Sequence, residues 1–134
     1  MNKIQGNITT VEVSGNLTLV HVAVTPSLVI KAIVIDTPET ATYLEVNQKV
    51  TLLFKETEVI LGVGNQKQLS LQNQIPGVVS TVESGKLLSK LRIQTDVGLI
   101  TSIVSAAAVM HLNLQEGSKV YAMIKLNEVM LRAL

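Results

Sequence analysis

The sequence predicts an all-β fold built as two tandem small β-barrels, each with one short helix. Three observations predict it: a core-forming composition, an internal repeat half the chain long, and closely spaced strand signals within each repeat. The 134 residues are 47% hydrophobic and only 16% charged, with Val, Ile and Leu dominant. Such a chain folds around a core and does not stay disordered. Its length suits one ordinary domain or two very small ones, and the repeat decides for two.

Ser14-Gly15 and Ser84-Gly85 lie 70 residues apart. At that spacing Leu17 meets Leu87, Thr25 meets Thr95, and Ile33-Val34 meets Ile103-Val104. The series continues with Leu44 on Leu114, Lys49-Val50 on Lys119-Val120, Lys55 on Lys125, Glu58-Val59 on Glu128-Val129, and Leu61 on Leu131. Upstream, a one-residue shift aligns Asn2, Ile4, Gly6 and Thr10-Val11-Glu12 with Asn73, Ile75, Gly77 and Thr81-Val82-Glu83. One residue inserted before the Ser-Gly turn accounts for the shift. The chain is a tandem duplication. The polar, Gly-containing linker Gly62-Val63-Gly64-Asn65-Gln66-Lys67-Gln68 divides it into 1–64 and 65–134.

In the first copy, alternation and β-branched content predict strands near Asn7–Val13, Leu17–Thr25, Leu28–Ile35, Val50–Lys55 and Val59–Leu61. Turns fall at Ser14-Gly15-Asn16 and around Thr25-Pro26-Ser27. Pro38 suits a first helical turn, so Pro38–Leu44 reads as a short helix. Its counterpart, Ala106–Leu112, is rich in alanine, the best helix former. Five short strands and one brief helix per copy describe a small barrel of OB-like type.

Composition narrows function by exclusion. The aromatic residues are Tyr43, Tyr121 and Phe54, too few to form a base-stacking platform for nucleic acid. The net charge is +1, with four basic against six acidic residues in 1–64 and seven against four in 65–134. Neither half carries the field that a large polyanion needs. With no cysteine, disulfides and thiolate metal sites are excluded. His21 and His111 stand apart from other ligands, which gives them structural or surface roles. No Gly-x-Ser-x-Gly elbow or acid–base pair supports catalysis, and Gly62-Val63-Gly64 is only a fragment of a nucleotide-binding fingerprint. The start Met1-Asn2-Lys3-Ile4-Gln5-Gly6 lacks a signal peptide's apolar run, and no stretch approaches the ~18 apolar residues of a membrane span. The expectation is a cytoplasmic, non-enzymatic protein with no cofactor, no resident metal, and no nucleic-acid or membrane partner.

One strand per copy bears on binding. In Val120–Lys125 the alternation sets Val120, Ala122 and Ile124 on one face and Tyr121, Met123 and Lys125 on the other. The first copy likewise opposes Val50, Leu52 and Phe54 to Thr51, Leu53 and Lys55. An outer face of apolar residues ending in a lysine suggests packing against another domain or subunit, with the lysine at its edge. Equally, Lys55 and Lys125 read as charges that keep a strand end soluble.

The pattern Asn-x-x-x-Gly opening a strand, a Ser-Gly turn, Ile-Val, then Leu-x-x-Gly-x-x-Val-x-x-x-x-Lys resembles the Mop domain of the TOBE group. It is carried best by Asn73-Gln74-Ile75-Pro76-Gly77-Val78-Val79-Ser80 and Leu114-Gln115-Glu116-Gly117-Ser118-Lys119-Val120, and it spans nearly the whole chain as two units. The resemblance is to molybdate-binding modules, either free-standing molbindin-like proteins or the effector half of a molybdate-responsive regulator. It implies OB-like barrels in a homo-oligomer, trimer or dimer, that hold molybdate or tungstate between subunits. The family's motif is Ser-Ala-Arg-Asn, then Thr and Ser after the Ile/Val strand, then a Lys. Carried over singly, Lys55 and Lys125 match the lysine, Asn2 and Asn73 the asparagine, and Ser70 the serine. Gln72 replaces the arginine, and in the first copy only the asparagine of this run is present. Ser105 matches the threonine, where the first copy has Ile35. Ala108 and Pro38 stand at the second hydroxyl, with Thr37 next door. A glutamine offers neutral donors in place of a charged fork, whereas backbone N–H groups can complete an anion shell without a side-chain signature. Two readings follow: an oxyanion-binding module for storage, homeostasis or sensing, or an oligomerisation module whose anion site has decayed.

Overall fold

The structure, a computed structural model, describes residues 1–134. The first copy supplies β1 (Asn2–Ser14), β2 (Leu17–Thr25), β3 (Leu28–Val34), β4 (Lys49–Phe54), a 3₁₀ turn at Glu56–Glu58, and β5 (Ile60–Gly62). The second supplies β6 (Asn73–Ser84), β7 (Leu88–Thr95), β8 (Gly98–Ser105), helix α1 (Ala106–His111), β9 (Lys119–Ile124), a 3₁₀ turn at Leu126–Glu128, and β10 (Met130–Ala133). These make two antiparallel five-stranded sheets, ordered β10-β4-β1-β2-β3 and β5-β9-β6-β7-β8. The outer strands of the first sheet, β3 and β10, approach each other, as do β5 and β8 in the second, so each sheet curls toward a barrel.

The compact units do not follow the repeats. Unit 1 is Met1–Phe54 with Lys125–Leu134, and unit 2 is Lys55–Ile124. The expected division at 64/65 separates the repeats in sequence. In space, each copy's last strand completes the sheet built by the other copy. Thus β10 lies on β4, with Met130 opposite Leu53, and β5 lies on β9, with Ile60 opposite Met123.

Burial alternates as half-buried strands require. In unit 1 the inward residues are Ile4 and Ile8 of β1, Val20 and Val22 of β2, Ile30 and Ala32 of β3, and Val50, Leu52 and Phe54 of β4. In unit 2 they are Ile75 and Val79, Leu91 and Ile93, Ile100, then Val120, Ala122 and Ile124. Both long first strands carry a bulge at the same place, where pairing shifts between Ile8 and Thr10 and between Val79 and Thr81. Each bulge is clasped by the loop before the fourth strand. Ile8 N–H donates to Gln48 O and Val79 N–H to Ser118 O, both at 2.9 Å. The return bonds come from Asn47 and Gly117, which have φ 72° and φ 90°. Only Gly, or a residue such as Asn, accepts that conformation readily.

Core alternation also moves the one-residue offset between the copies. Thr10 pairs with His21 and Thr81 with Arg92, so β2 and β7 correspond at a spacing of 71, not 70. The spacing becomes 70 only after the bulge between Ala23 and Thr25, which makes Val24 the extra residue. The Ser-Gly identity is therefore misleading. Gly15-Asn16 forms the tip of the β1–β2 hairpin, whereas Gly85 precedes the corresponding tip at Lys86-Leu87. Physical reason favours this register: a one-residue slip would expel Leu91 and Ile93, at ~1.5–3 kcal/mol for each buried aliphatic side chain.

Helix α1 forms as expected, and the expected helix Pro38–Leu44 does not. Its segment is a run of turns. Ser105 caps α1, its Oγ accepting from Ala108 N–H at 3.0 Å, and three alanines follow. In the first copy Thr37 N–H is taken by Thr40 Oγ1 at 2.9 Å, and Thr40 Oγ1 reaches Asp36 Oδ1 at 3.0 Å. Such local side-chain bonds compete with helical ones, and the threonines add β-branching. Only Ala41 N–H to Thr37 O, 2.8 Å, spans a helical turn.

The outward apolar residue Met123 is 2% exposed. Its cover is β5 of its own unit: a Cβ on Gly62 would lie 2.8 Å from Met123 Cε. That cover replaces the second domain or subunit expected to bury it.

Gly77 is required for space, since a Cβ there would lie 2.5 Å from Ile93 Cγ2 and 2.8 Å from the Gln94 carbonyl oxygen. Overpacking against backbone costs ~1–3 kcal/mol. Gly77→Ala is expected to lower stability by about that amount, measured as a fall in the urea midpoint at unchanged m-value.

Candidate functional site

Register gathers the lysine and the asparagine at one end of each sheet, while Ser105, beside Leu88, and Thr37, near Val13 and Gly15, lie toward the hairpin end. In unit 1, β1 starts at Asn2, opposite Phe54 at the end of β4, and β10 starts at Met130, opposite Leu53. The chain enters β10 through the 3₁₀ turn opened by Lys125. In unit 2, β6 starts at Asn73, opposite Ile124 at the end of β9, and β5 starts at Ile60, opposite Met123. The chain enters β5 through the 3₁₀ turn opened by Lys55. Lys55 thus belongs with Asn73, Ser70 and Gln72, and Lys125 with Asn2. Each unit takes its lysine from one copy and its asparagine from the other.

The local folding explains the lysines' presentation. Lys55 and Lys125 have extended backbones, φ −74° ψ 147° and φ −66° ψ 146°, and make no side-chain capping bond. Both are exposed. The asparagines are buried, Asn2 at 8% and Asn73 at 0% exposure, as the first inward residue of each long strand. A buried amide must be satisfied, and both are hydrogen-bonded or otherwise engaged. Asn2 and Asn73 therefore anchor the strand ends. Ser70 and Gln72 are exposed in the segment leading into β6.

The lysine-bearing turns pack against a third strand, β8 in unit 2 and β3 in unit 1. In unit 2 the contact is a hydrogen bond: buried Ser102 Oγ donates to Val59 O, the residue leaving the Lys55 turn, at 2.9 Å. Three residues on, β8 ends at exposed Ser105. Because Ser105 Oγ accepts from Ala108 N–H, its own proton remains available to donate. In unit 1 the place of Ser105 is held by Ile35, 77% exposed. Thr37 lies two residues further on, half-buried, with its N–H and carbonyl bound to Thr40 and Ala41. Burial first, and Asp36 second, raise the Tyr43 phenol above its ordinary pKa in that same loop.

Sequence reasoning missed Ser102. The available signal was a hydroxyl at an inward strand position where the first copy has Ala32. Sequence reasoning also passed over a groove of about 740 Å³ in unit 2, bordered by Pro76, Gln94, Asp96, Lys119 and Tyr121. None of the selected residues borders it. No group of three or more His, Asp or Glu is placed to hold a metal ion, and no helix is long and apolar enough to cross a membrane.

The chemistry at these sheet ends is a single ammonium on a turn that also carries Glu56 and Glu58, or Glu128, with Ser70 and Gln72 nearby in unit 2 and an anchored backbone. That suits a small oxyanion better than an organic substrate, which needs an enclosing apolar pocket. Ser105→Ala, which removes the α1 cap, is expected to cost ~1 kcal/mol, seen as faster amide exchange at Ala108 with β6 and β9 protection retained.

Residues 1–61 and 69–131 each match the TOBE domain. Over 64 residues, 47% of this chain and 93% of the relative, the sequence is 39% identical to a probable molybdenum-pterin-binding protein of Haemophilus influenzae. The crystal structure of the cytoplasmic molybdate-binding protein ModG with molybdate bound shares the fold. Its TM-score is 0.92, over 99% of this chain and 96% of that one, at 24% identity. MopII from Clostridium pasteurianum aligns over 49% of this chain and 100% of its own, at 30% identity and a TM-score of 0.47.

Proposed function

Because the chain belongs to the TOBE domain family, we propose that it binds molybdate or tungstate, with Lys55 and Lys125 as the cationic ligands. The observation that carries this reading is the repetition of one arrangement. In each unit an exposed lysine opens a turn that leads into the closing strand, at the sheet end where a buried asparagine begins the long first strand. The relative from Haemophilus influenzae and ModG are named for molybdenum or molybdate chemistry. The same ligand class fits these sheet ends.

A tetrahedral dianion leaving water needs charge-assisted hydrogen bonds to offset its desolvation. Lysine supplies a compact positive charge with three donors. Ser70 and Gln72 add neutral groups in unit 2, Ser105 and Thr37 add theirs from a neighbouring copy of the chain, and backbone N–H groups complete the shell. With no matching guanidinium in either copy, each shell takes its one positive charge from the lysine, so binding is salt-sensitive. The sites lie at contacts between copies of the chain, which exclude water from the anion. The role is storage, homeostasis or sensing inside the cell, by binding and not by catalysis.

Calorimetric titration with molybdate, tungstate and sulfate tests the reading. Molybdate and tungstate are expected to give heat. Each lysine replaced by Met removes a charge-assisted bond worth ~1.5–3 kcal/mol, a loss of about tenfold or more at its site. The variant with both Lys55→Met and Lys125→Met is expected to bind neither anion while its thermal midpoint stays near that of the parent. Absence of heat from all three anions with the parent chain would leave only the alternative, an interaction module with a decayed anion site.

A further inference from the structure

We propose, building on the anion reading above, that the two units are unequal sites and that the Lys55 unit binds the oxyanion more tightly than the Lys125 unit. The difference lies in one hydroxyl on β8, Ser102, which has no counterpart on β3. Register fixes the correspondence. Ser102 pairs with Leu91 and Ala32 pairs with Val20, and both partners are fully buried. Ser102 and Ala32 are themselves 0% exposed.

A hydroxyl buried in an apolar layer is costly unless it is bonded. Ser102 meets that condition by donating to Val59 O at 2.9 Å, which ties the exit of the Lys55 turn to β8. Ala32 has no hydroxyl to offer the Val129 carbonyl, the repeat equivalent, so the Lys125 turn lacks that tie. Ser102 is thus a positioning residue. It narrows the range of positions open to the turn that carries Lys55, and less ordering remains to be done when the anion arrives. Ser105 takes no part in this difference: it pairs with Leu88 near the β6–β7 hairpin, at the end of the sheet away from Asn73.

Titration of the full chain with molybdate reads this inequality. The expected isotherm has two phases differing severalfold, up to about tenfold, the worth of one neutral hydrogen bond. Lys55→Met is expected to delete the tighter phase and Lys125→Met the weaker one. Ser102→Ala weakens the tighter phase severalfold and leaves the weaker phase where it was. The converse variant, Ala32→Ser, strengthens the weaker phase toward the tighter one, a gain that structural damage does not imitate. One class of equal sites in the parent chain, or equal weakening of both phases by Ser102→Ala, overturns the inequality while the anion reading stands. Absence of heat from the parent chain removes the anion reading and this inference with it.

Discussion

Both sheets depend on one constraint: the strand that completes each is supplied by the other repeat. A four-stranded sheet ending at β4 or β9 would leave a row of unpaired backbone groups at its edge. It would also uncover Leu52 and Phe54, or Ala122 and Ile124, next to that edge. Covering them with β10 and β5 brings Leu131 and Leu61 alongside. Each closing strand is preceded by a 3₁₀ turn with an inward valine, Val129 at 2% and Val59 at 1% exposure. The turn is therefore seated by burial, and the lysine that opens it is carried to a fixed end of the sheet. Function, on this account, follows from how the barrel is closed.

The same constraint makes the two candidate sites chimeric. In each unit the asparagine and the lysine come from different halves of the duplication, so neither half holds a complete set by itself. A duplicated chain can let its two sites diverge without disturbing the cores, because the core positions are apolar in both copies. That divergence is visible along and after the third strand of each copy: Ser102 against Ala32, Ser105 against Ile35, and helix α1 against the Thr37–Leu44 turns. The bulges, their clasping loops and the glycines at Gly6 and Gly77 are retained in both copies, as expected of features that hold the backbone together.

Much of the fold was legible in the sequence for a physical reason. Strand alternation, turn residues and the repeat all report burial, and burial shapes this protein. Strand positions such as Leu17–Thr25 were readable to the residue. The offset was misread because Ser-Gly identity at hairpin tips says little about register, whereas Thr18, Val20 and Val22 against Ser89, Leu91 and Ile93 say a great deal. The helix at Pro38–Leu44 failed because Asp36, Thr37 and Thr40 satisfy the backbone locally. Strand exchange left no trace in the sequence, since β5 and β10 are equivalent segments that fit either sheet equally well. The candidate lysines and asparagines were legible as repeated residues, but their grouping was not, because grouping depends on the exchange. Ser102 was hidden among inward strand residues, where a serine looks unremarkable until its partner, Val59, is known.

The absence of native cysteine allows the exchange to be tested with a clean pair of cross-links. Cross-strand neighbours lie within disulfide reach, and residues more than 7 Å apart at Cα do not bridge without backbone movement. Leu53→Cys with Met130→Cys is expected to oxidise readily to an intramolecular disulfide in the folded chain. Leu53→Cys with Ile60→Cys, the pair that a non-exchanged barrel would bring together, is expected to stay reduced under the same conditions. The reverse outcome, with 53 bridging to 60 and not to 130, would contradict the account at its root.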